Sequence, residues 1–310
     1  MTSVRTSVII AVPGKENKDM PEELVGVVGG TGLGDALATK LARVEQREVQ
    51  TPFGAPSGPI VVGTLGRRRI AFINRHGPGH RFGPSDVPFA ANIFALKQLG
   101  ARAVIASGAV GSLRDQIVPG DLVVVDQFID KTFRRTGTFF RGFGAVHCEM
   151  ADPTCDRLRT TLLDVAGPTG VRIHPQGTYV CMEGPQFSTR AESKMHRAWG
   201  GDLIGMTAMP EAKLAREAQM CYSLVALASD YDCWRPHDPA KGKQTLIEEI
   251  LSNLRTATDN CLRLIEALLT VETPLVCDDC ACRKALEMAA WTDPKQIDVA
   301  RREQLARLFE

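Results

Sequence analysis

The sequence predicts an α/β fold with a substantially parallel sheet, and two observations carry that prediction. Short apolar runs of strand length alternate along the chain with stretches whose apolar residues recur at helical spacing. Most of the predicted strands end in a small, polar or charged group, as strands do at the ligand-binding edge of a parallel sheet. We expect one such domain over residues 24–270, an N-terminal extension over 1–23 and a helical tail over 271–310.

Composition excludes several classes of protein. Of the 310 residues, 44% are hydrophobic and 24% charged, which is too apolar for a disordered chain. Thirty-seven basic against 36 acidic residues leave a net charge of +1, so nucleic acid is not expected as a partner. No apolar run approaches the roughly 20 residues that cross a bilayer. We therefore expect a cytoplasmic protein without membrane contact.

The nine cysteines fall into two groups. Cys277, Cys280 and Cys282 form a CxxCxC cluster in the tail, where we expect reduced thiols or a local disulfide. A structural zinc site usually takes four nitrogen or sulfur ligands, and only three thiols lie together here, so no metal is expected. The other six are scattered, which is typical of reduced intracellular thiols: Cys148, Cys155, Cys181, Cys221, Cys233 and Cys261.

In the first half of the domain, a buried strand runs into the glycine-rich segment 29–34. Ser85 and Asp86 are candidates to cap a helix that ends at Gly100. The predicted strands are 25–28, 60–63, 69–73, 103–106 and 122–125.

In the second half, residues 134–150 are rich in glycine and phenylalanine and are predicted to form a loop. Pro210 suits the first turn of a helix, and apolar residues from Leu246 to Leu268 form the stripe of a long amphipathic helix. Further strands are predicted at 178–182, 203–206 and 223–229, and helices at 188–199, at 283–291 and from 294 onward.

Two segments that follow predicted strands could bind an anion. The glycine-rich segment offers backbone N–H groups and the Thr31 hydroxyl, although a structural turn is the alternative. It does not match the dinucleotide fingerprint, because Asp35 stands where the third glycine is required. Arg75 and His76 combine a guanidinium fork, which can bind phosphate bidentately, with an imidazole donor. The alternative for this pair is a surface arginine and a core histidine.

Asp230 and Asp232 follow a strongly apolar strand. On an extended chain, side chains two residues apart point to the same face. Burial and mutual repulsion would raise the pKa of at least one carboxyl group, which suits proton donation to a ring nitrogen. A solvated pair at a strand end is the alternative.

Eight segments together resemble the 5′-methylthioadenosine phosphorylases, which belong to the trimeric branch of the purine nucleoside phosphorylase family. They occur in one consistent order from residue 24 to about residue 270, and their joint occurrence is more specific than any single motif. The segments are VGVVGGTGL (25–33), TPFG (51–54), NRHGPGH (74–80), ANIFALKQLGA (91–101), VGSLRDQIVPGDLVVVDQFID (110–130), EGPQFSTRAES (183–193), MTAMPEAKLAREA (206–218) and SDYDCW (229–234).

The resemblance implies a single α/β domain with a central mixed sheet flanked by helices, usually assembled as a homotrimer. It implies phosphorolysis of 5′-methylthioadenosine to adenine and 5-methylthioribose 1-phosphate. Inorganic phosphate is then a co-substrate, and no metal or organic cofactor is used. The tail is expected to pack against the trimer or its own domain.

The resemblance also assigns site residues. His80 and His147 would lie near the 5′ side, with Asp230 as the catalytic acid. The expected phosphate site consists of Thr31, Arg75, His76, Gly108, Ala109 and Thr207. The expected nucleoside site consists of Phe187, Ser188, Met206, Asp230, Asp232, His147, Leu246 and Ile247.

The chain also departs from the family pattern. Gly108 stands where relatives often have a hydroxyl residue, Lys243 where an apolar residue is expected, and segment 235–242 differs.

With Asp230 donating to N7 and Asp232 accepting from the 6-amino group, adenine is favoured over 6-oxopurines, since a mismatched buried pair costs about 1–3 kcal/mol. The alternative within the fold is a purine nucleoside phosphorylase acting on inosine, guanosine or 5′-methylthioinosine. Three alternatives come from other classes of protein. A histidine phosphatase would use His76 as nucleophile, and a nicotinamide dehydrogenase is disfavoured by the incomplete glycine fingerprint. A non-catalytic nucleoside-binding protein would bind the substrate but show no phosphate-dependent turnover.

Overall fold

The longest strand of the sheet runs from Ala101 to Ser112 and organises the architecture of the computed structural model. The structure describes residues 23–30, 33–236 and 242–310, and within these ranges eleven strands form one mixed sheet. In chain order the strands are β1 (Leu24–Gly29), β2 (Ala42–Arg47), β3 (Ile60–Leu65), β4 (Arg68–Asn74), β5 (Ala101–Ser112), β6 (Leu122–Val124), β7 (Gln127–Asp130), β8 (Ile173–His174), β9 (Thr178–Cys181), β10 (Leu203–Gly205) and β11 (Cys221–Asp230).

The helices cover both faces of this sheet. One apolar layer packs α1, α3 and the buried face of α6 against the strands, and the other packs α2, α5, loop 139–143 and the end of the tail on the opposite face. The described helices are α1 (Leu33–Ala38), α2 (Phe89–Gln98), α3 (Asp156–Thr169), α4 (Arg190–Ala198), α5 (Glu211–Glu217), α6 (Lys243–Thr270) and α7 (Val299–Gln304). None of them combines the length and hydropathy needed to cross a bilayer.

The pairing of β5 brings several strand ends to one edge. It lies parallel to β1 on one side and parallel to β11 on the other, and β1 in turn is parallel to β4. The last residues of β5 instead pair antiparallel with β10, so that Leu203 lies opposite Ser112 and Ile204 opposite Gly111. The chain leaving β10 therefore runs back beside residues 108–110. The fold is the single α/β domain with a mixed sheet that the sequence predicts.

The sequence prediction missed several elements. β2 carries six exposed residues and lacks the apolar alternation that identifies a strand, and β7 is half-buried throughout. One further strand, β8, and two helices, α1 and α3, were also not expected. Helix α3 alone buries three apolar side chains at helical spacing, Leu158, Leu162 and Ala166.

One predicted helix cap and one predicted helix were wrong. Ser85 and Asp86 do not cap α2, which begins at Phe89 after Pro88 without a side-chain cap. Ser85 instead donates hydrogen bonds to Glu183. In the tail, the helix expected over 283–291 is replaced by a single 3-10 turn at Ala281–Lys284 and further turns, because only part of this segment is buried.

The tail packs against its own domain, one of the two arrangements expected. Leu286, Leu305 and Leu308 are buried in the same apolar layer as α2 and α5. Glu23, placed by the sequence in the loose extension, accepts hydrogen bonds from Arg68 Nε at 3.3 Å and from the Val276 N–H at 2.7 Å. The rest of the extension, residues 1–22, lies outside the described residues.

Candidate active site

A cavity of about 470 Å³ lies at the edge of the sheet where β1, β4, β5 and β11 end. This volume is within the range of small-molecule sites. Each strand delivers its residues from its carboxyl end or from the segment that follows. The lining is Gly30, Arg75, His76, His80, Pro84, Gly108, Ala109, Val110, Gly111, Met182, Phe187, Ser188, Ile204, Gly205, Met206, Thr207, Ser229, Asp230, Asp232, Cys233, Ile250 and Leu254.

Arg75 reaches this cavity from the end of β4 and is fully buried. Its Nε and Nη2 donate to the two carboxylate oxygens of Glu211 at 2.8 and 2.9 Å, and its Nη1 donates to the Ser107 carbonyl at 2.7 Å. Burial alone would lower the pKa of Arg75, but its attraction to Glu211 outweighs that effect and raises it. The expected bidentate fork is therefore directed at Glu211, and only the remaining N–H groups can reach an anion in the cavity.

His76 is held beside Arg75 by one backbone contact and one ring contact. Its Nδ1 lies 2.9 Å from the Phe82 carbonyl, so this nitrogen carries the proton, and its ring stacks on His80 with centroids 4.1 Å apart. Burial lowers the pKa of His76 to about 4, and the positive charge of Arg75 adds to that effect. In the free protein the Nε2 atom of His76 is thus a hydrogen-bond acceptor, whereas the sequence pattern led us to expect a donor.

This lowered pKa predicts a dependence of stability on pH. The unfolded chain takes up a proton at His76 near pH 6.5 and the folded protein only near pH 4, so stability falls as the pH drops through that window. Without phosphate, we expect wild type to lose about 1–2 kcal/mol more than His76→Gln between pH 6.5 and pH 5. Urea unfolding of both proteins at the two pH values measures this, and equal losses would contradict it.

Gly108, Ala109 and Thr207 lie together because the chain after β10 runs back along β5. A Cβ on Gly108 would lie 3.2 Å from the Thr207 Oγ1, so the two positions are in direct contact. The Thr207 N–H lies 3.3 Å from the hydroxyl of Tyr179, which fixes the backbone at this point. A hydroxyl side chain at position 108 would be crowded by Thr207, and Thr207 supplies a hydroxyl to this side of the cavity.

Asp230 ends β11 with both carboxylate oxygens engaged. Oδ1 accepts from the Asp232 N–H at 2.7 Å, and Oδ2 accepts from the Ser229 hydroxyl at 2.7 Å. Gly111 lies directly beneath, since a Cβ there would stand 3.1 Å from Asp230 Oδ1 and 3.1 Å from Asp232 Cβ. These contacts fix the orientation of the Asp230 carboxylate against β5.

Asp232 does not continue the strand, contrary to the extended conformation expected from the sequence. It adopts a left-handed conformation with φ of 48°, and its carboxylate nevertheless joins the same cavity. Burial raises the pKa of Asp232, and the negative charge of Asp230 contributes. Its Oδ2 is buried without a hydrogen-bond partner among the described residues, which is costly unless a ligand supplies a donor.

The far side of the cavity is more apolar and more open. Phe187 is 86% exposed at the mouth, and Met206 lies against Gly184. Ser188 lines the cavity and contacts Met182 through its hydroxyl at 3.7 Å.

A buried ion pair that the sequence analysis did not single out supports this side of the cavity. Arg135 bonds Glu183 and donates to the carbonyls of Met206 and Met209, each at 2.6 Å. Glu183 also accepts from the N–H groups of Phe133 and Arg134. Burial would raise the pKa of Glu183, but hydrogen bonds from Ser85, Phe133 and Arg134 together with the charge of Arg135 lower it to about 2.

The structure does not bring every expected residue to this cavity. Thr31 lies outside the described residues, as does most of segment 235–242. Leu246 lines an adjoining cavity, whereas Ile247 is 57% exposed and lines neither. His147 lies away from the cavity of its own chain, with its ring 5.9 Å from that of Trp291. Ile250 and Leu254, one and two turns further along the α6 stripe, line the cavity instead.

The residues that sequence reasoning missed are mostly supporting residues. Glu211 and Glu183 stand in segments quoted for the resemblance, so their presence was visible but their partners were not. Tyr222, within β11, donates to Glu211 Oε1 at 3.0 Å. Among the described residues, one group of side chains lies closely enough together to hold a metal ion. This group contains only cysteines and lies outside the cavity.

Comparison with known proteins is consistent with this geometry. The family model of the Phosphorylase superfamily matches residues 24–270. The S-methyl-5′-thioadenosine phosphorylase of Gloeobacter violaceus is 43% identical over 295 residues, covering 93% of this chain and 96% of the relative.

Two solved structures are similar to this one. A methylthioadenosine phosphorylase from an antarctic soil metagenomic library superimposes with a TM-score of 0.83 at 40% identity, over 92% of this chain and 98% of the other. The methylthioadenosine phosphorylase of Schistosoma mansoni in complex with tubercidin gives a TM-score of 0.73 at 34% identity, over 80% and 91% of the two chains.

Proposed function

Because the chain belongs to the Phosphorylase superfamily, we propose that its cavity catalyses the phosphorolysis of 5′-methylthioadenosine to adenine and 5-methylthioribose 1-phosphate. The observation that carries the proposal is that one cavity holds a buried arginine together with a pair of carboxylates. Phosphorolysis needs both, since an anion must attack the sugar while a proton is supplied to the departing base.

The phosphate end of the site is formed by Arg75, His76, Gly108, Ala109 and Thr207. Arg75 is held by Glu211 and Ser107, so it offers its remaining N–H groups to phosphate without rearranging. His76 accepts a phosphate O–H through Nε2, or binds the dianion as imidazolium once that anion raises its pKa. Thr31 belongs to this end in the family pattern.

The base end is formed by Asp230 and Asp232. Asp230, oriented by Ser229 and by the Asp232 N–H, carries a proton in the substrate complex, delivers it to N7 as negative charge develops on the base, and is left as a carboxylate. The unpartnered Oδ2 of Asp232 accepts from the 6-amino group. A 6-oxopurine would place a lone pair against that oxygen, so adenine is the preferred base.

Between these ends lie the residues for the sugar and its 5′ substituent. Met206 contacts the ribose, Phe187 packs on the purine, and Ser188 lies beside Asp232. Ile250 and Leu254 supply apolar surface for an alkylthio group.

We further propose that the enzyme is a homotrimer in the cytoplasm and that the reaction itself needs no metal or organic cofactor. The trimer rests on the family resemblance and would allow His147, remote from the cavity of its own chain, to serve a neighbouring one. Unpaired cysteines are typical of a reducing compartment. Light scattering should give three times the chain mass, and a monomer mass would contradict the assembly.

The activity is tested by following ³¹P signals during incubation of the protein with 5′-methylthioadenosine and inorganic phosphate. We expect a sugar phosphate signal to grow as the inorganic phosphate signal falls, with adenine appearing in equal amount. Adenine release that continues without phosphate would indicate hydrolysis and contradict the proposal. Binding of the nucleoside without turnover would leave only a binding protein.

A further inference from the structure

Four cysteines that are far apart in the sequence meet at the opposite end of β11 from the cavity. Cys155 and Cys221 were counted among the scattered thiols, and Cys280 and Cys282 belong to the CxxCxC cluster. The fold places their four sulfur atoms within 4.8 Å of one another. The three thiols counted in the sequence therefore omit Cys155 and Cys221 and include Cys277, which lies outside the group.

The local structure directs these thiols to a common centre. Cys155 precedes the first turn of α3 and its N–H donates to the Tyr222 carbonyl at 2.8 Å, which places it beside Cys221 at the start of β11. Cys280 precedes the 3-10 turn Ala281–Lys284, and this turn brings Cys282 to the same side. Cys155, Cys221 and Cys282 are buried and Cys280 is partly buried.

The sulfur spacing matches a tetrahedral metal site better than disulfides. Cys280 Sγ lies 3.8 Å from Cys155 Sγ and 3.6 Å from Cys221 Sγ. A disulfide requires sulfurs about 2.05 Å apart. A zinc ion bound by four sulfurs at about 2.3 Å has sulfur–sulfur edges of about 3.8 Å. From this geometry we propose that Cys155, Cys221, Cys280 and Cys282 form a structural zinc site.

Charge and position agree with a structural rather than a catalytic role. Zinc with four thiolates carries two net negative charges, and the guanidinium groups of Arg216 and Arg283 lie close enough to interact with the cluster. Cys221 and Asp230 stand at opposite ends of β11, nine residues or about 30 Å apart. Because protein side chains fill all four coordination positions, no position is left for water or substrate, which is typical of structural zinc sites.

The proposed zinc ion would cross-link the tail, residues 271–310, to the rest of the domain. It connects the residues after α6 to α3 and β11, and the tail then continues along the loop that carries His147. The Trp291 N–H donates to the Ala145 carbonyl at 2.9 Å, and the His147 N–H donates to the Ala289 carbonyl at 2.9 Å. Loss of zinc should therefore loosen residues 271–310 and this loop while leaving the sheet intact.

Metal analysis of the purified full chain, prepared without a polyhistidine tag or chelator, tests the site. We expect close to one zinc per chain in wild type, and loss of most of that zinc in Cys282→Ser and Cys155→Ser. Cys277→Ser is the matched control, since it alters the same CxxCxC segment outside the cluster and should keep its zinc. The proposal would be overturned if Cys277→Ser lost as much zinc as the other two variants. It would also be overturned if wild type, refolded with zinc and a reductant, contained no zinc.

Spectroscopy of wild type gives a test that does not depend on the folding of a variant. Cobalt in place of zinc should give the intense visible bands of tetrahedral coordination and thiolate charge-transfer bands in the near ultraviolet. X-ray absorption of the zinc protein should show four sulfurs at about 2.3 Å. Octahedral cobalt spectra, or disulfide-linked peptides joining these cysteines in freshly isolated protein, would show that no such site exists.

Discussion

Asp230→Asn is expected to lower kcat/KM for 5′-methylthioadenosine by about a hundredfold or more, because general acid catalysis contributes about 10²–10⁴-fold. The amide oxygen can still accept from the Asp232 N–H, and the amide NH₂ can donate to the Ser229 hydroxyl while that hydroxyl donates to the Val110 carbonyl, so the fold around the site should persist. It cannot deliver a proton to N7 as readily as a carboxyl group. N7 and the 6-substituent lie on the same edge of the purine, so the permanent NH₂ donor of the asparagine can also reach a 6-oxo group, and the residual activity should shift toward inosine.

The measurement is kcat/KM for 5′-methylthioadenosine and for inosine in wild type and variant. Asp115→Asn serves as control, because its side chain is 70% exposed and lies outside the cavity lining. The control should match wild type with both substrates. An Asp230→Asn enzyme with an unchanged rate and preference would remove the base-recognition argument.

Glu211→Ala is expected to cost about 3–5 kcal/mol of stability, as removal of one partner from a buried ion pair does. Both side chains are essentially inaccessible to water, and Glu211 holds two of the three nitrogens of Arg75. Without Glu211 the Arg75 charge is buried and uncompensated. We also expect KM for phosphate to rise at least about tenfold, since a guanidinium displaced from its position costs well over 1 kcal/mol.

Urea unfolding with and without phosphate measures this effect. At the same concentration, phosphate should stabilise the variant less than wild type, because the weakened site binds the anion less tightly. Glu272→Ala is the control: it breaks the ion pair with Arg67, in which the Glu272 side chain is 81% exposed, and should change stability by less than about 1 kcal/mol. A Glu211→Ala protein as stable as this control would show that the pair does not hold the site together.

Much of the site could be predicted because local sequence determines which residues end each strand. Arg75 and Asp230 each follow an apolar run, and a parallel arrangement is enough to gather them at one edge. Thr207 also follows an apolar run, but it reaches the same edge because β10 pairs antiparallel with the end of β5. The hydrogen-bond partner of Arg75 could not be predicted, since Glu211 is 136 residues away and only the pairing of the strands brings it near.

The same reason explains why the sequence showed only part of the four-cysteine group. Cys280 and Cys282 are visible as a motif, whereas Cys155 and Cys221 join them through contacts between distant elements. His147 shows the opposite limit, because its assignment came from the resemblance alone and the fold of this chain places its ring beside Trp291 instead. The conformation of Asp232 was missed since a left-handed residue directly after a strand leaves no periodic signal.

Release of free base from 5′-methylthioadenosine and from inosine, each measured with and without phosphate, tests the proposed reaction and the base preference together. We expect adenine release that requires phosphate, with little release of hypoxanthine. Faster release of hypoxanthine would leave the phosphate site in place but contradict the assignment of Asp230 and Asp232 to adenine. No release from either nucleoside would contradict the proposed reaction itself.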